Sequence, residues 1–157
     1  MKDKNAGVRS GAASALGKLG SAAATSEPIA SVLALTRDKS DDVRTSAVGA
    51  LGQLGSTAAT PEVLRGLRHL LNDESEEVQF FAGLALGRMA TALSSNERST
   101  VVSFWLKRLS TDPFPSVSRS LVCHAAYDAL QRLASQHART PPRAKPSPSK
   151  RRPAKSR

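Results

Sequence analysis

The segment DDVRTSAVGALGQLG, residues 41–55, decides the fold of this chain. Counted from Val43, its apolar residues fall at i, i+4, i+7, i+8 and i+11, which is one stripe of an amphipathic helix. The same segment holds Gly49, Gly52 and Gly55. Because a glycine inside a helix costs about 1 kcal/mol relative to alanine, these glycines require a structural reason.

The segment belongs to an internal repeat. Residues 5–20 and 76–90 align with it at a spacing of 35 residues. The matched positions are the valines Val8, Val43 and Val78, the leucines Leu16, Leu51 and Leu86, the glycines Gly17, Gly52 and Gly87, and the preceding aspartates Asp3, Asp38 and Asp73. Repetition at a fixed period of this length is the sequence signature of a repeat architecture.

A second apolar-periodic stretch lies between these helices. Ile29, Val32 and Leu35 in one unit match Leu64, Leu67 and Leu70 in the next. Each unit is therefore predicted to be two helices joined by a short polar turn. We expect Ser40 and Ser75 to act as N-caps, and Gly20 and Gly55 to supply left-handed C-terminal caps.

A fourth unit is present in altered form. Asp112 and Val117 repeat the aspartate–valine spacing, now 39 residues after the preceding pair. Its predicted apolar residues are Val102, Leu106 and Leu109 in the first helix and Leu121, Ala125, Ala129 and Leu133 in the second. Atypical sequence is expected in a terminal repeat, because no further repeat covers its outer face.

The repeat also suggests a role for one set of glycines. Gly17, Gly52 and Gly87 each follow a core leucine directly. In stacked helix pairs, a glycine at such a contact lets two helix axes approach to the short end of the usual 8–10 Å. We therefore predict that these glycines remove a side chain where two backbones meet.

The motif Asp-x4-Val-Arg-x2-Ala-x2-Ala-Leu-Gly-x-Leu-Gly resembles the HEAT-repeat superfamily, and most closely its short phycobilisome-lyase HEAT-like form, over residues 3 to about 133. The resemblance implies a ladder of aspartates and arginines, in which Asp38 pairs with Arg44 and Arg9 lies beside them. Gln79 and Ser118 depart from the motif, so the ladder is expected to fade after the second repeat.

The predicted fold is all-α: a right-handed α-solenoid of about three and a half HEAT-like helix pairs. It spans residues 1–135, with units at about 1–20, 27–55, 61–90 and 98–134, and residues 136–157 form a disordered tail. The first unit lacks its first helix. We therefore expect either that something else covers this open end or that the sequence is part of a longer array.

The positive charge of the chain is concentrated in the tail. Eight of the 23 Lys and Arg residues follow Ser135 and no acid follows Asp128, so the remainder carries 15 bases against 13 acids. The candidate polyanion-binding residues are Arg143, Lys145, Lys150, Arg151, Arg152, Lys155 and Arg157. Three uses remain open for this segment: contact with nucleic acid or another polyanion, a nuclear import signal if the cell is eukaryotic, and solubility alone.

Three aromatic residues are candidate partner-binding anchors. Phe80, Phe81 and Trp105 lie where earlier repeats have small residues or where the repeat spacing lengthens. One interpretation is that they fill extra space in the core. The other is that they form an exposed anchor of the kind that dominates binding energy at interfaces.

The sequence predicts a non-catalytic scaffold or adaptor whose partner is most readily another protein. The three histidines are scattered and His69, His124 and His137 lack the following glutamate of the iron-binding HEAT-like hydroxylase, so we expect no catalytic residues, metal or cofactor. Two alternatives stay open: a nucleic-acid-associated protein that uses its basic tail, and an accessory subunit of a bilin-lyase-like enzyme. Without an apolar run of about 18 residues, no membrane span is expected, and we predict a cytoplasmic location.

Overall fold

The computed structural model describes residues 3–110 and 119–137, and within these ranges the regular structure is entirely helical. The α-helices are α1 (Ala6–Leu19), α2 (Ser26–Leu35), α3 (Asp41–Leu54), α4 (Pro61–Leu70), α5 (Glu76–Arg88), α6 (Ser95–Ser110) and α7 (Arg119–His137). Two short 3₁₀ turns, Gly20–Ala23 and Gly55–Ala58, follow α1 and α3.

The helices form two stacked rows. In the first row α1 packs on α3, α3 on α5, and α5 on α7. In the second row α2, α4 and α6 each pack against the helix that follows in sequence, α3, α5 and α7 respectively. This arrangement of helix pairs is the predicted α-solenoid, and the core lies between the two rows.

Most predicted helix boundaries are present, with different capping chemistry. Ser40 and Ser75 occupy the N-cap positions of α3 and α5, but their side chains make no capping hydrogen bond. Instead the Ser40 backbone N–H donates to Asp38 Oδ1 at 3.0 Å. Gly20 and Gly55 do have positive φ, +57° and +60°. Their ψ values of −132° and −138° lie outside the left-handed helical region, and the chain turns there into the 3₁₀ segments.

The predicted close approach of helices at glycine is confirmed. A Cβ atom placed on Gly17 would lie 2.7 Å from the Cα of Ala50, and one on Gly52 would lie 3.3 Å from the Cα of Ala85. On Gly87 it would lie 3.1 Å from the Cα of Ala129. The same glycine–alanine contact therefore joins each first-row helix to the next.

Gly49 lies in a different environment. No atom outside its own helix segment lies within 4 Å of a Cβ built there. Close packing consequently explains Gly52 and leaves Gly49 without a structural account.

The fourth unit differs from its predicted register. In α6 the buried residues are Val101 and Trp105, and the predicted Val102 packs half-buried against the core. Leu106 and Leu109 are exposed, so the prediction was wrong for these two residues. Trp105, 35 residues after Leu70 in the sequence, is the largest buried residue of this helix. In α7 the predicted Ala125, Ala129 and Leu133 are buried. Residues 138–157, with all seven candidate cations of the tail, lie outside the described residues.

Candidate protein-binding surfaces

Two arginine–aspartate pairs link successive first-row helices. Arg9 Nε and Nη2 donate to the two carboxylate oxygens of Asp38 at 2.7 and 2.8 Å. Arg44 Nε and Nη2 donate to the carboxylate of Asp73 at 3.1 and 2.8 Å. Each pair is bidentate and nearly buried, a geometry that stabilises it more than a single exposed contact would.

The partner of Asp38 differs from the expected one. Its carboxylate binds Arg9 of the preceding unit, while Arg44 reaches Asp38 only through the backbone carbonyl oxygen, at 3.0 Å. The pairing of Asp38 with Arg44 through their side chains was therefore wrong. The physical reason is the direction in which the arginine side chain extends. In each helix pair the arginine lies on the second helix, and its guanidinium reaches the aspartate of the following unit. Each ion pair therefore crosses a junction between units.

The hydrogen bond from Arg9 has a measurable electrostatic effect. Together with the Ser40 N–H, it holds the pKa of Asp38 at about 2, below the ordinary value of 3.8. The charged form of this carboxylate is thus the one that the fold stabilises.

The ladder changes chemistry at the third step. Gln79 occupies the arginine position. Its contact Arg108 lies 29 residues later, the same separation that joins Arg9 to Asp38 and Arg44 to Asp73. Asp112 and Val117, which the sequence aligned with the aspartate and valine of earlier units, lie outside the described residues. Gln79 Nε2 still donates to the carbonyl oxygen of Asp73, as the arginines do to their preceding carbonyls. Its Oε1 accepts a hydrogen bond from Arg108 Nη2, so the cation now comes from the later unit. The expected end of the arginine–aspartate series after the second repeat agrees with this geometry.

The aromatic residues pack mainly inside the molecule. Trp105 is fully buried and Phe80 is 2% exposed, with their rings 5.9 Å apart in an edge-to-face arrangement. Gly83 of α5 makes room for the indole, since a Cβ there would lie 2.9 Å from Trp105 Cζ2. Phe80 and Trp105 are therefore corrected from anchor candidates to core residues, because neither offers its ring to a partner. Phe81 is half-buried against the same core and stays a candidate.

The second row of helices bounds two neighbouring grooves. The first, of about 770 Å³, lies between α2 and α4. Its lining includes Leu33, Arg37, Arg65, Gly66 and His69. Gly66 lies close to Leu33 here: a Cβ on Gly66 would lie 3.1 Å from Leu33 Cδ1, so the leucine side chain would have to shift. We refer to this feature as groove 1.

The second groove, of about 460 Å³, lies beyond the end of α4 and along α6. Its lining includes Leu71, Asn72, Phe104, Lys107 and Arg108. The Arg108 guanidinium lies 6.0 Å from the centre of the Phe104 ring, within the range of a cation–π contact. We refer to this feature as groove 2.

The two grooves share a charge pattern. Positive charges outnumber negative charges in their linings. Besides Arg44 and Asp73, which pair with each other, the lining contains one acid, Glu62, and four basic residues, Arg37, Arg65, Lys107 and Arg108. Arg37, Asn72 and Lys107 are spaced by 35 residues and lie in the turns or final turns of the second-row helices. This spacing was available in the sequence, but the grooves themselves exist only once α2, α4 and α6 stand side by side.

The titratable side chains that the structure describes are dispersed over the helices. No group of three or more His, Cys, Asp or Glu side chains in residues 3–110 and 119–137 could hold a metal ion. His69 is exposed on α4, and the adjacent Cys123 and His124 are exposed on α7. Among the helices that the structure describes, none is both long and apolar enough to cross a membrane.

Comparison with known proteins agrees with this architecture. The family profile of HEAT repeats matches residues 29–122. The chain belongs to the HEAT-repeat family. No curated protein matches it in sequence. HEAT repeats are generally non-catalytic and suggest a protein-interaction scaffold. The phycobilisome-lyase form of the repeat, and the lyase-accessory role drawn from it, remain predictions.

Proposed function

We propose that this HEAT-repeat protein is a non-catalytic scaffold that binds an acidic segment of another protein along grooves 1 and 2. The observation that supports the proposal is the pair of neighbouring grooves, each lined by both apolar and basic side chains. Leu33 and Phe104 provide apolar surface, while Arg37, Arg65 and Lys107 provide positive charge. A partner segment with aliphatic and acidic residues would match both features.

The basic and the apolar residues of groove 1 should contribute to binding in different ways. Charged residues at the edge of an interface chiefly raise the association rate and make it dependent on salt, whereas apolar residues at the centre hold the complex together. Among the residues that line groove 1, Arg37 and Arg65 are exposed and Leu33 is half-buried. Partner binding should thus depend on both kinds of residue, in kinetically distinct ways.

The test is affinity capture with matched charge reversals. The double variant Arg37→Glu, Arg65→Glu reverses the two exposed positive charges of groove 1 and should lose the bound partners. The control Lys18→Glu, Arg88→Glu reverses two exposed charges of the first row and should keep them. Equal capture by both double variants would exclude groove 1 as the binding surface. Circular dichroism of each variant checks that the helices are intact.

A second candidate function rests on the basic tail. Its eight cations after Ser135 could bind nucleic acid through phosphate contacts, without reading sequence, because no aromatic residue accompanies them to stack on bases. A chain that ends at His137, where α7 ends, should then keep its helical circular dichroism and lose this affinity. Binding by the full chain should weaken steeply with salt. Tight binding by the shortened chain at about 0.15 M salt would instead assign the interaction to the solenoid.

A further inference from the structure

Grooves 1 and 2 are formed by equivalent positions of the repeat. Shifting the lining of groove 1 by 35 residues, the period of the repeat, reproduces much of the lining of groove 2. The matching positions are Thr36 and Leu71, Arg37 and Asn72, Arg44 and Gln79, Arg65 and Thr100, and His69 and Phe104. Because both grooves form at the same place between stacked helices, a difference between them identifies side chains that the stacking does not require.

Groove 1 has basic side chains at three of these positions. Arg65 and His69 lie four residues apart on α4, so they are neighbours on one face of this helix. Arg37 follows the end of α2 and lines the same cavity. All three side chains are exposed, and their counterparts in groove 2 are uncharged. We call Arg37, Arg65 and His69 the basic cluster.

The basic cluster has no acidic partner among the residues that the structure describes. In the same groove, Arg44 donates to the carboxylate of Asp73 through two nitrogens. None of the ion pairs within the described ranges includes a member of the cluster. An anion that enters groove 1 therefore meets positive charge that the described helices do not neutralise.

Helix stability explains the acid of groove 1 but not the basic cluster. Glu62 has counterparts at Glu27 and Glu97, and each lies in the first turn of its helix, where the helix dipole favours negative charge. The dipole likewise favours a basic residue in the last turn, which accounts for His69. Arg65 lies in the middle of α4, and α2 has alanine at the matching position. The recurring acid is thus part of the repeat, whereas Arg65 is specific to groove 1.

A phosphate monoester matches the basic cluster better than a carboxylate does. It carries a charge of about −1.5 to −2 at pH 7 and three acceptor oxygens. A guanidinium presents its N–H groups in a planar fork that fits two of these oxygens, and an imidazole adds a further donor. Leu33 and Leu70 line the same cavity and provide apolar surface for the residues beside the phosphate.

We propose that groove 1 binds a phosphorylated serine or threonine of the partner segment, with Arg37, Arg65 and His69 around the phosphate. The inference rests on the proposed function, because it specifies which anionic group of the acidic segment enters groove 1. A nucleic-acid strand fits less well. It carries a phosphate on every nucleotide, so the same basic cluster would be expected in both grooves.

Three short peptides serve as probes. They are acetylated and amidated tripeptides with leucine on both sides of a central phosphoserine, aspartate or serine. Each is titrated into the isotope-labelled full-length protein at constant ionic strength and a pH of about 7.5, at which the phosphate is mainly a dianion. Chemical-shift changes of the backbone amides locate the binding site. We expect changes at Gly66 and His69, and about tenfold or more tighter binding of the phosphoserine peptide than of the aspartate peptide.

Substitution by the residues of α2 tests the basic cluster. The double variant Arg65→Ala, His69→Ala introduces the alanines that α2 has at positions 30 and 34, so α4 should remain helical. It should bind the phosphoserine peptide about tenfold or more weakly. The control Lys18→Ala, Arg88→Ala removes two exposed positive charges of the first row and should leave this affinity unchanged. Circular dichroism checks that both variants are folded.

Three results would overturn the proposal. The first is phosphoserine binding that causes no shifts in groove 1 or that the double variant does not weaken. The second is equal affinity for the phosphoserine and aspartate peptides, which would leave the acidic-segment function standing, whereas no binding of either peptide would count against both. The third is an equal or larger loss of oligothymidylate affinity in the double variant, which would assign groove 1 to nucleic acid.

Discussion

The junction of α3 with α5 and the junction of α5 with α7 solve the same packing problem with different chemistry. Both bring a glycine of one helix against an alanine of the next, Gly52 on Ala85 and Gly87 on Ala129. The first junction adds the buried ion pair of Arg44 with Asp73. Beside the second junction, Gln79 of α5 contacts Arg108 of α6 in place of that pair, and Phe80 of α5 packs on Trp105 of α6.

The difference shows which part of the junction the fold requires. The close approach of the backbones is common to all three first-row junctions, because the spacing of the solenoid is set by the helix axes. The polar link varies, because any donor–acceptor pair that satisfies the buried groups can occupy the same space. Apolar contact therefore sets the stacking, and the ladder adds to its stability.

The largest effect is expected from the aromatic contact between α5 and α6. Trp105→Ala removes a fully buried side chain and leaves a cavity between α5 and α6, so unfolding should become easier by about 3–5 kcal/mol. Chemical denaturation measures this change. The matched control is Tyr127→Ala, at a side chain 66% exposed on α7, which should change stability by less than about 0.5 kcal/mol. Similar losses for both variants would contradict the core position of Trp105.

The glycines give a second test, in which two glycine-to-alanine substitutions should change the stability of the fold in opposite directions. In Gly87→Ala the new Cβ would lie 2.7 Å from the Cβ of Ala129, so α5 and α7 must separate, with a loss of about 1–3 kcal/mol. In Gly49→Ala the new Cβ meets nothing within 4 Å, and helix propensity alone should raise stability by up to about 1 kcal/mol. Thermal unfolding of the two variants shows the sign directly. A stabilising Gly87→Ala would exclude close packing as the reason for this glycine.

The ion pair of Arg9 with Asp38 predicts that the stability of the fold depends on pH. The pKa of Asp38 is about 2 in the folded state and near 3.8 when it is unperturbed, so its contribution is present above pH 3.8 and is lost as the pH falls toward 2. Asp38→Asn should lower stability at neutral pH by about 1–2 kcal/mol, because Arg9 loses a charged acceptor. Urea titrations at several pH values should show a shallower acid loss for the variant. An unchanged slope would mean that Asp38 contributes no linkage.

The smallest effect is expected when the Gln79–Arg108 contact is replaced by an arginine–aspartate pair. Gln79→Arg alone puts a second guanidinium beside Arg108 and should destabilise the last junction. Combined with Arg108→Asp, it recreates the arginine–aspartate pair of the earlier units. A double-mutant cycle should then give a favourable coupling of about 0.5–1.5 kcal/mol. A coupling of zero or of opposite sign would show that the geometry of this junction no longer fits an ion pair.

Sequence reasoning predicted the repeat fold but misplaced parts of the site. The 35-residue period and the glycine–leucine motif were sufficient for helix pairs and their stacking order. The partner of Asp38 was assigned within its own unit, although the arginine reaches across the junction to it. The aromatic residues could not be divided into core and surface by spacing, since Phe80 and Phe81 are adjacent and only the position of α6 distinguishes them.

Sequence by itself determined the helices, their pairing and the close glycine contacts, because periodicity and residue size act locally and recur in every unit. Tertiary structure alone decided which groups meet between units: Arg9 with Asp38, Trp105 with Phe80, and the walls of grooves 1 and 2. It also decided that the valine at position 8 is exposed while the same valine at position 43 is buried. The physical reason is that burial and pairing depend on neighbouring helices, which a repeated motif does not specify at its ends or where the repeat changes register.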